Sequence, residues 1–433
     1  MTSQARAVAA ASIGNGLEWM SFSSYALLAD VIARRFFPAT DQALSLMLAV
    51  ASIGAAYFIR PVGAVVLGAY ADRVGRMPAL MIAIRIMVAA TFLITFIPGY
   101  DTIGVLAPIG MLVAVLLQGF SAGGEFGSAT AYLIEQNANR RGFMGAWQGA
   151  SQAASTLLAT VLLAVLSGVL TPAQFDSWGW RIPFAIGLLL GPVGFYIRRH
   201  LRDSPEFTSA RAEPEHPLRA TIRTQKSRIL LTIGVLAVST GLNYLLTYMP
   251  TFAIRELGLP TSTSFTATIL TGVVLTVCSP LAGHLSDRIG RTRMLAAAAV
   301  LIFVTSLPFF LLIKSVPSFA VVTAVVTLMG LVKVWYSGPL GALMAEIFPV
   351  RTRATGLSIG YNLGIAVFGG LTPLVVTWLI ATTGSKLAPA FWIMALAVVS
   401  TTAILLAGRY VASDGRRPGG RRRPARYGSR PSP

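Results

Sequence analysis

Apolar residues in this chain follow neither a strand period nor the stripe of a surface helix. They run in long blocks, and the polar residues gather in the gaps between them. A bilayer core about 30 Å thick is crossed by about 20 helical residues rising 1.5 Å each. Twelve blocks reach that length, at roughly 7–37, 43–67, 78–98, 104–134, 142–170, 180–198, 229–254, 264–285, 294–313, 317–345, 354–381 and 388–410. The pattern predicts an all-α membrane protein with twelve transmembrane helices. The first, fourth, tenth and eleventh blocks exceed what a perpendicular crossing needs, so tilt, a kink or an extramembranous end is expected in each.

The polar gaps carry a repeat. Gly68-Ala69-Tyr70-Ala71-Asp72-Arg73-Val74-Gly75-Arg76 returns as Gly283-His284-Leu285-Ser286-Asp287-Arg288-Ile289-Gly290-Arg291, 215 residues further on. Glu135, Arg140 and Gly142 return as Glu346, Arg351 and Gly356, at offsets of 211, 211 and 214. Two echoes in nearly one register indicate duplicated six-helix halves, the plan of transporters that close around a midplane site. The halves are expected at 1–198 and 229–411, joined by a polar, Pro-containing linker at 199–228. Residues 412–433 form a basic tail with nothing apolar to bury, expected to be disordered. Contact with anionic headgroups and a purely topological role are its two readings.

Hydrophobic residues make up 55% of the chain and charged residues 12%, with mean hydropathy +0.69, which excludes a soluble protein of this size. The net charge of +19 raises the question of nucleic acid. Folding the chain back and forth twelve times answers it. Of 35 Lys and Arg, 26 fall on the side holding both termini, 6 on the opposite loops, and 3 (Arg60, Arg85 and Lys333) inside spans. By the positive-inside rule both termini and the linker are cytoplasmic. Topology accounts for the charge, and no nucleic-acid recognition module accompanies it. The first block carries Asn15 and Glu18 and precedes no small-residue cleavage site, so it is expected to remain as helix 1. Cys278 is the only cysteine and His200, His216 and His284 are scattered, so no disulfide, metal or cofactor is expected. No phosphate-cradling loop or nucleophile–His pair suggests an enzyme.

The two Asp-Arg-x-Gly-Arg loops are tight turns in which glycine permits close approach and Asp pairs with Arg of a neighbouring helix. Such contacts form in one conformation and break in the other. Asp72, Arg73, Arg76, Asp287, Arg288 and Arg291 are therefore gating candidates. Glu135 with Arg140 or Arg141, and Glu346 with Arg351 or Arg353, lie at the cytoplasmic ends of the fourth and tenth blocks. Ion pairs there with the Asp72 and Asp287 loops would stabilise an outward-facing state.

The repeated loop, at this place in twelve spans, resembles the signature of the major facilitator superfamily. More narrowly, Gly14-Asn15-Gly16-Leu17-Glu18-Trp19, Arg60-Pro61-Val62-Gly63, Gln118-Gly119-Phe120-Ser121-Ala122-Gly123-Gly124-Glu125, Trp178-Gly179-Trp180-Arg181-Ile182-Pro183-Phe184 and Phe368-Gly369-Gly370-Leu371-Thr372-Pro373 resemble the metabolite:H+ symporters. The stretches 64–70 and 370–384 look most like the citrate and tricarballylate branch. The resemblance implies the major facilitator fold in a bacterial inner membrane, and proton-coupled uptake of a small organic acid by alternating access. Its family alternatives are shikimate, proline or betaine as substrate. The chain departs from the family at Ser21, where an acid is usual, and at Val115, where an arginine is usual. Loss of both groups leaves an uncoupled carrier as a further alternative. The partners expected are an organic acid, protons and lipid, and the protein is expected to be monomeric.

Charges inside hydrocarbon are costly and should face a cavity or a partner. Glu18 shares a helical face with Asn15, Phe22 and Tyr25, and is either a proton carrier or a carboxylate held in a structural hydrogen bond. Glu125, on a face with Gln118 and Ala122, is a second proton-coupling candidate, whereas the glycines beside it serve close helix packing. Lys333 precedes Glu346 by 13 residues, about 20 Å of helix, and so lies near the midplane. There it holds a substrate carboxylate or pairs with Glu18 or Glu125. Arg60 and Arg85, in the cytoplasmic half, read as structural cations that snorkel or brace the adjoining loop. Asn15, Tyr25, Gln118, Gln148, Gln152, Asn243, Tyr336, Tyr361 and Asn362, with Tyr244, complete the polar set. Each is either a substrate contact or a helix–helix hydrogen bond.

Overall fold

The computed structural model of the protein describes residues 3–38, 42–199, 221, 223–259, 261–369 and 371–415. The helices are α1 (Ser3–Leu27), α2 (Ala29–Phe36), α3 (Gln42–Val74), α4 (Arg76–Phe96), α5 (Tyr100–Ile103), α6 (Leu106–Glu135), α7 (Arg141–Val169), α8 (Pro172–Ser177) and α9 (Ile182–Arg199) in the first half. The second half holds α10 (Lys226–Leu257), α11 (Thr261–Ile289), α12 (Arg291–Ser315), α13 (Phe319–Glu346), α14 (Arg353–Gly364), α15 (Thr372–Thr383) and α16 (Ala388–Gly415). Most of the linker and of the basic tail lies outside the described residues; α16 itself runs on to Gly415.

Ten helical stretches among the described residues are long and apolar enough to cross a membrane. The two other expected spans correspond to α1 and α9, which pack against each other in the first bundle, α1 also against α7 and α9 against α4. Two long blocks divide. The first breaks at Leu28 into α1 and α2, and the eleventh passes through a π-helical turn at Ile365–Gly369 between α14 and α15. A π-turn inside a span is a common way of bending it at a functional site.

Glycine decides how closely the helices approach. A Cβ at Gly63 would lie 1.9 Å from the Phe120 carbonyl oxygen, and one at Gly123 would lie 2.0 Å from that of Arg60. Backbones of α3 and α6 thus touch where no side chain fits, as small residues allow between membrane helices. Gly75 and Gly290 have φ of 146° and 101°. Each turns the chain sharply between α3 and α4 or between α11 and α12, so the repeated motif repeats as backbone geometry.

The halves meet through matching helices: α3 lies on α14, and α11 lies on α7. These two contacts are related by the sequence repeat. α6 also packs on α14 and α7 on α13. The largest buried apolar cluster belongs to the second half and a separate one surrounds Trp180, Phe184 and Phe36 in the first, so each half has its own core.

Candidate functional site

The end of the bundle that carries the repeated loops is shut by two crossed contacts. Asp72 at the end of α3 accepts hydrogen bonds from the backbone N–H groups of Ala354 (3.1 Å) and Thr355 (2.7 Å), in the first turn of α14 of the other half. Asp287 at the end of α11 accepts from Gly142 (2.7 Å) and Phe143 (3.0 Å), in the first turn of α7. The first N–H groups of a helix lack intrahelical partners and carry the positive end of its dipole, so each carboxylate caps a helix of the opposite half.

Arginines complete both caps. Arg76 pairs with Asp72, reaches Glu135 at 3.3 Å and donates to the Val350 carbonyl at 2.7 Å. Arg353 pairs with Glu135 at 3.0 Å from across the interface. On the other side Arg291 bridges Asp287 (2.9 Å) and Glu346 (2.7 Å), and Arg141 lies 3.6 Å from Glu346. The sequence pairs Glu135 with Arg140 or Arg141 and Glu346 with Arg351 or Arg353. Cross-half pairs are found as well: Glu135 takes Arg353 and Glu346 takes Arg141, each from the other half, because the loop ends of both halves converge. Arg73, Arg288 and Arg351 are exposed.

Deeper in the bundle, Glu18 and Arg60 form a buried ion pair with Nη2 to Oε1 at 3.4 Å. Arg60 is enclosed by rings, its guanidinium carbon 4.7 Å from the centre of Phe22, 4.8 Å from Tyr57 and 5.9 Å from Trp19. Aromatic faces attract a cation and exclude water from it. Arg60 therefore neither snorkels nor braces the adjoining loop, and that expectation is corrected. Counting already contained the signal, since Arg60 precedes Asp72 by 12 residues, ~18 Å of helix. That depth nearly equals the depth assigned to Lys333. Arg85 is exposed on the outside of α4, as a snorkelling residue would be.

Glu125 is buried near enough to Glu18 for their charges to interact. The Tyr57 ring beside Arg60 meets Tyr244 edge to face with centroids 6.4 Å apart, which gathers residues of α1, α3 and α10 about one point. Tyr361 stacks on Phe126 across the interface, with centroids 3.4 Å apart and planes 2° from parallel. Asn362 donates to the Gly123 carbonyl at 2.8 Å, also across it. Lys333 is 7% exposed and donates to Asn243 Oδ1 at 2.5 Å. The sequence offers Glu18 or Glu125 as its ionic partner. A neutral amide stands there instead, while Arg60 takes Glu18.

The other polar candidates, Gln152 apart, are engaged within one half. Asn15 donates to the Gln148 carbonyl and to Ser151, and accepts from Gln148, binding α1 to α7. Gln152, one residue after Ser151, is half-buried. Tyr25 bonds Ser52 at 2.7 Å, and Tyr336 donates to the Val235 carbonyl at 2.5 Å with no exposed surface. Gln118 donates to Ser21 at 2.5 Å and to Thr91 at 3.3 Å. Val115 lies one turn earlier, buried in apolar surroundings. Where the family resemblance leads one to expect an acid and an arginine, a hydroxyl–amide contact and a valine stand.

Two helical halves related by a sequence repeat, locked at one end and enclosing buried charges, have the build of a membrane transporter. The chain belongs to the Major Facilitator Superfamily, whose family model matches residues 11–313 and 260–431. It is a multi-pass transporter and not an enzyme. It is 38% identical to a citrate-proton symporter of Klebsiella pneumoniae, over 89% of this chain and 87% of that one. A proline/betaine transporter of Escherichia coli (strain K12) is 33% identical over 91% of this chain and 81% of the relative. Among solved structures, the proton:xylose symporter XylE superposes with a TM-score of 0.76 at 17% identity, covering 94% and 96% of the two chains. At that identity the likeness concerns the fold.

Proposed function

We propose that the protein carries a small organic anion, a di- or tricarboxylate, into the cytoplasm together with protons. One observation carries the reading: two cations lie buried in the spans, Arg60 held by a carboxylate and Lys333 by an amide. A buried lysine without a negative partner is costly, and a substrate carboxylate would supply one. Arg60 Nε is buried without a hydrogen-bond partner among the described residues, a donor available to a second carboxylate.

Coupling follows from competition for Arg60. While Glu18 is ionised it occupies the guanidinium. A proton on Glu18 removes that charge and leaves Arg60 and Lys333 to the substrate, with Glu125 as the neighbouring acid. The proton also offsets substrate charge. Any net positive charge moving inward gains about 2.3 kcal/mol per 100 mV of membrane potential. On this reading both termini and the crossed caps face the cytoplasm, in accord with the bias of basic residues. The form described here is then the one shut toward the cytoplasm. The citrate-proton symporters among the relatives support a tricarboxylate as the first substrate to test.

The test is uptake by proteoliposomes under an imposed pH gradient, using citrate, tricarballylate, smaller dicarboxylates, shikimate, proline and betaine. Accumulation of a polycarboxylate that collapses with the gradient is expected. Accumulation of zwitterions alone, or uptake indifferent to the gradient, overturns the reading.

A second reading takes a zwitterion such as betaine as substrate. The rings of Trp19, Phe22 and Tyr57 favour it, since aromatic faces bind quaternary ammonium groups. Arg60 already fills that enclosure, so an ammonium ligand would have to displace it.

A further inference from the structure

The outer wall of the first half holds a cavity of about 890 Å³ between α4 and α9, remote from the interface between the halves. Its lining includes Phe92, Tyr196 and Phe195, with Arg85 and Arg199, and contains no acidic residue among the described residues. Phe92 and Tyr196 are 52% and 67% exposed, so the cavity opens sideways toward the acyl chains that surround a span. Gly191 gives it room, since a Cβ there would meet Val88 at 2.3 Å.

Arg85 poses the physical problem. It stands nine residues after Arg76, ~13 Å along α4 from the loop end, and it points outward. Its guanidinium lies 5.1 Å from the ring centre of Phe195, one helical turn before Arg199. Neither arginine has a carboxylate partner among the described residues. Two guanidinium groups therefore converge on one apolar, lipid-facing groove with no carboxylate among the described residues to neutralise them. A guanidinium fork matches phosphate oxygens in number and direction, and acyl chains match the rest of the lining.

We propose that this groove binds an anionic phospholipid, with its phosphate between Arg85 and Arg199 and a chain along Phe92 and Val88. The charge of the lining selects an anionic over a zwitterionic headgroup, and the apolar wall selects a lipid over free phosphate.

The purified carrier, examined by native mass spectrometry with phosphatidylglycerol, phosphatidylcholine or inorganic phosphate added, tests this. Wild-type protein is expected to retain phosphatidylglycerol at least tenfold more than phosphatidylcholine, with retention falling as salt rises. Arg85→Gln together with Arg199→Gln should abolish the preference, and Arg85→Lys should keep part of it. Equal retention of the two lipids by the wild type, or an unchanged preference in the double variant, overturns the proposal. Binding of inorganic phosphate equal to that of phosphatidylglycerol would overturn the lipid assignment. Should the double variant fail to fold, the salt dependence and headgroup preference of the wild type still decide the matter.

Discussion

Replacing Asp72 by Asn keeps the shape of the α3 end and removes the charge that caps α14. The carboxylate accepts two N–H groups, from Ala354 and Thr355, and pairs with Arg76. A hydrogen bond to a charged group contributes about 1.5–3 kcal/mol and a neutral one about 0.5–1.5. Asn presents one acceptor oxygen where the carboxylate presents two, so one bond weakens and the other is lost, roughly 2.5–4.5 kcal/mol, a figure that already includes the attraction of the helix end. Arg76 retains Glu135 and the Val350 carbonyl, so the variant should fold. These bonds join opposite halves and cannot survive separation of the loop ends, so the whole loss falls on the shut state. The ratio of shut to open carriers should drop about 60- to 1,600-fold at ~1.4 kcal/mol per factor of ten. Spin labels at Asn139→Cys and Ile289→Cys, exposed positions on opposite halves, would read this as a longer inter-label distance by pulsed electron resonance. Asp287→Asn should do the same, and the two changes should add because they release separate contacts. Unchanged distance distributions in both variants, at unchanged melting temperature, would refute the account of the gate.

Glu18→Gln leaves Arg60 without its ionic partner and cannot carry the proton, so accumulation driven by a pH gradient should vanish while substrate exchange between equal pools persists. Retained accumulation would discard Glu18 as the coupling group. Lys333→Met should weaken binding of a polycarboxylate tenfold or more, measured as a smaller ligand-induced rise in melting temperature. Gly123→Ala drives a methyl group to 2.0 Å from the Arg60 carbonyl oxygen and 2.8 Å from the Ala64 nitrogen, and should cost about 1–3 kcal/mol in a thermal unfolding scan. Gly149→Ala, with nothing within 4 Å, is the matched control and should leave the transition in place.

Sequence alone determined the long apolar helices, the duplication and which residues are the costly charges. Each follows from chain-local physics: hydrocarbon demands long apolar helices, a tight turn demands glycine at Gly75 and Gly290, and helical rise gives the depth of Lys333. It did not determine partners. Glu135 has Arg140 and Arg141 a few residues away along the chain, yet its described partners Arg76 and Arg353 are 59 and 218 residues away in sequence. Arg60 was legible as an intramembrane charge but not as the partner of Glu18, and Lys333 was not legible as the partner of Asn243. Pairing depends on which helices of the two halves are brought face to face and on which glycines let them close. Those are properties of the packed bundle, where distance in space, and not separation along the chain, sets the strength of a charge interaction.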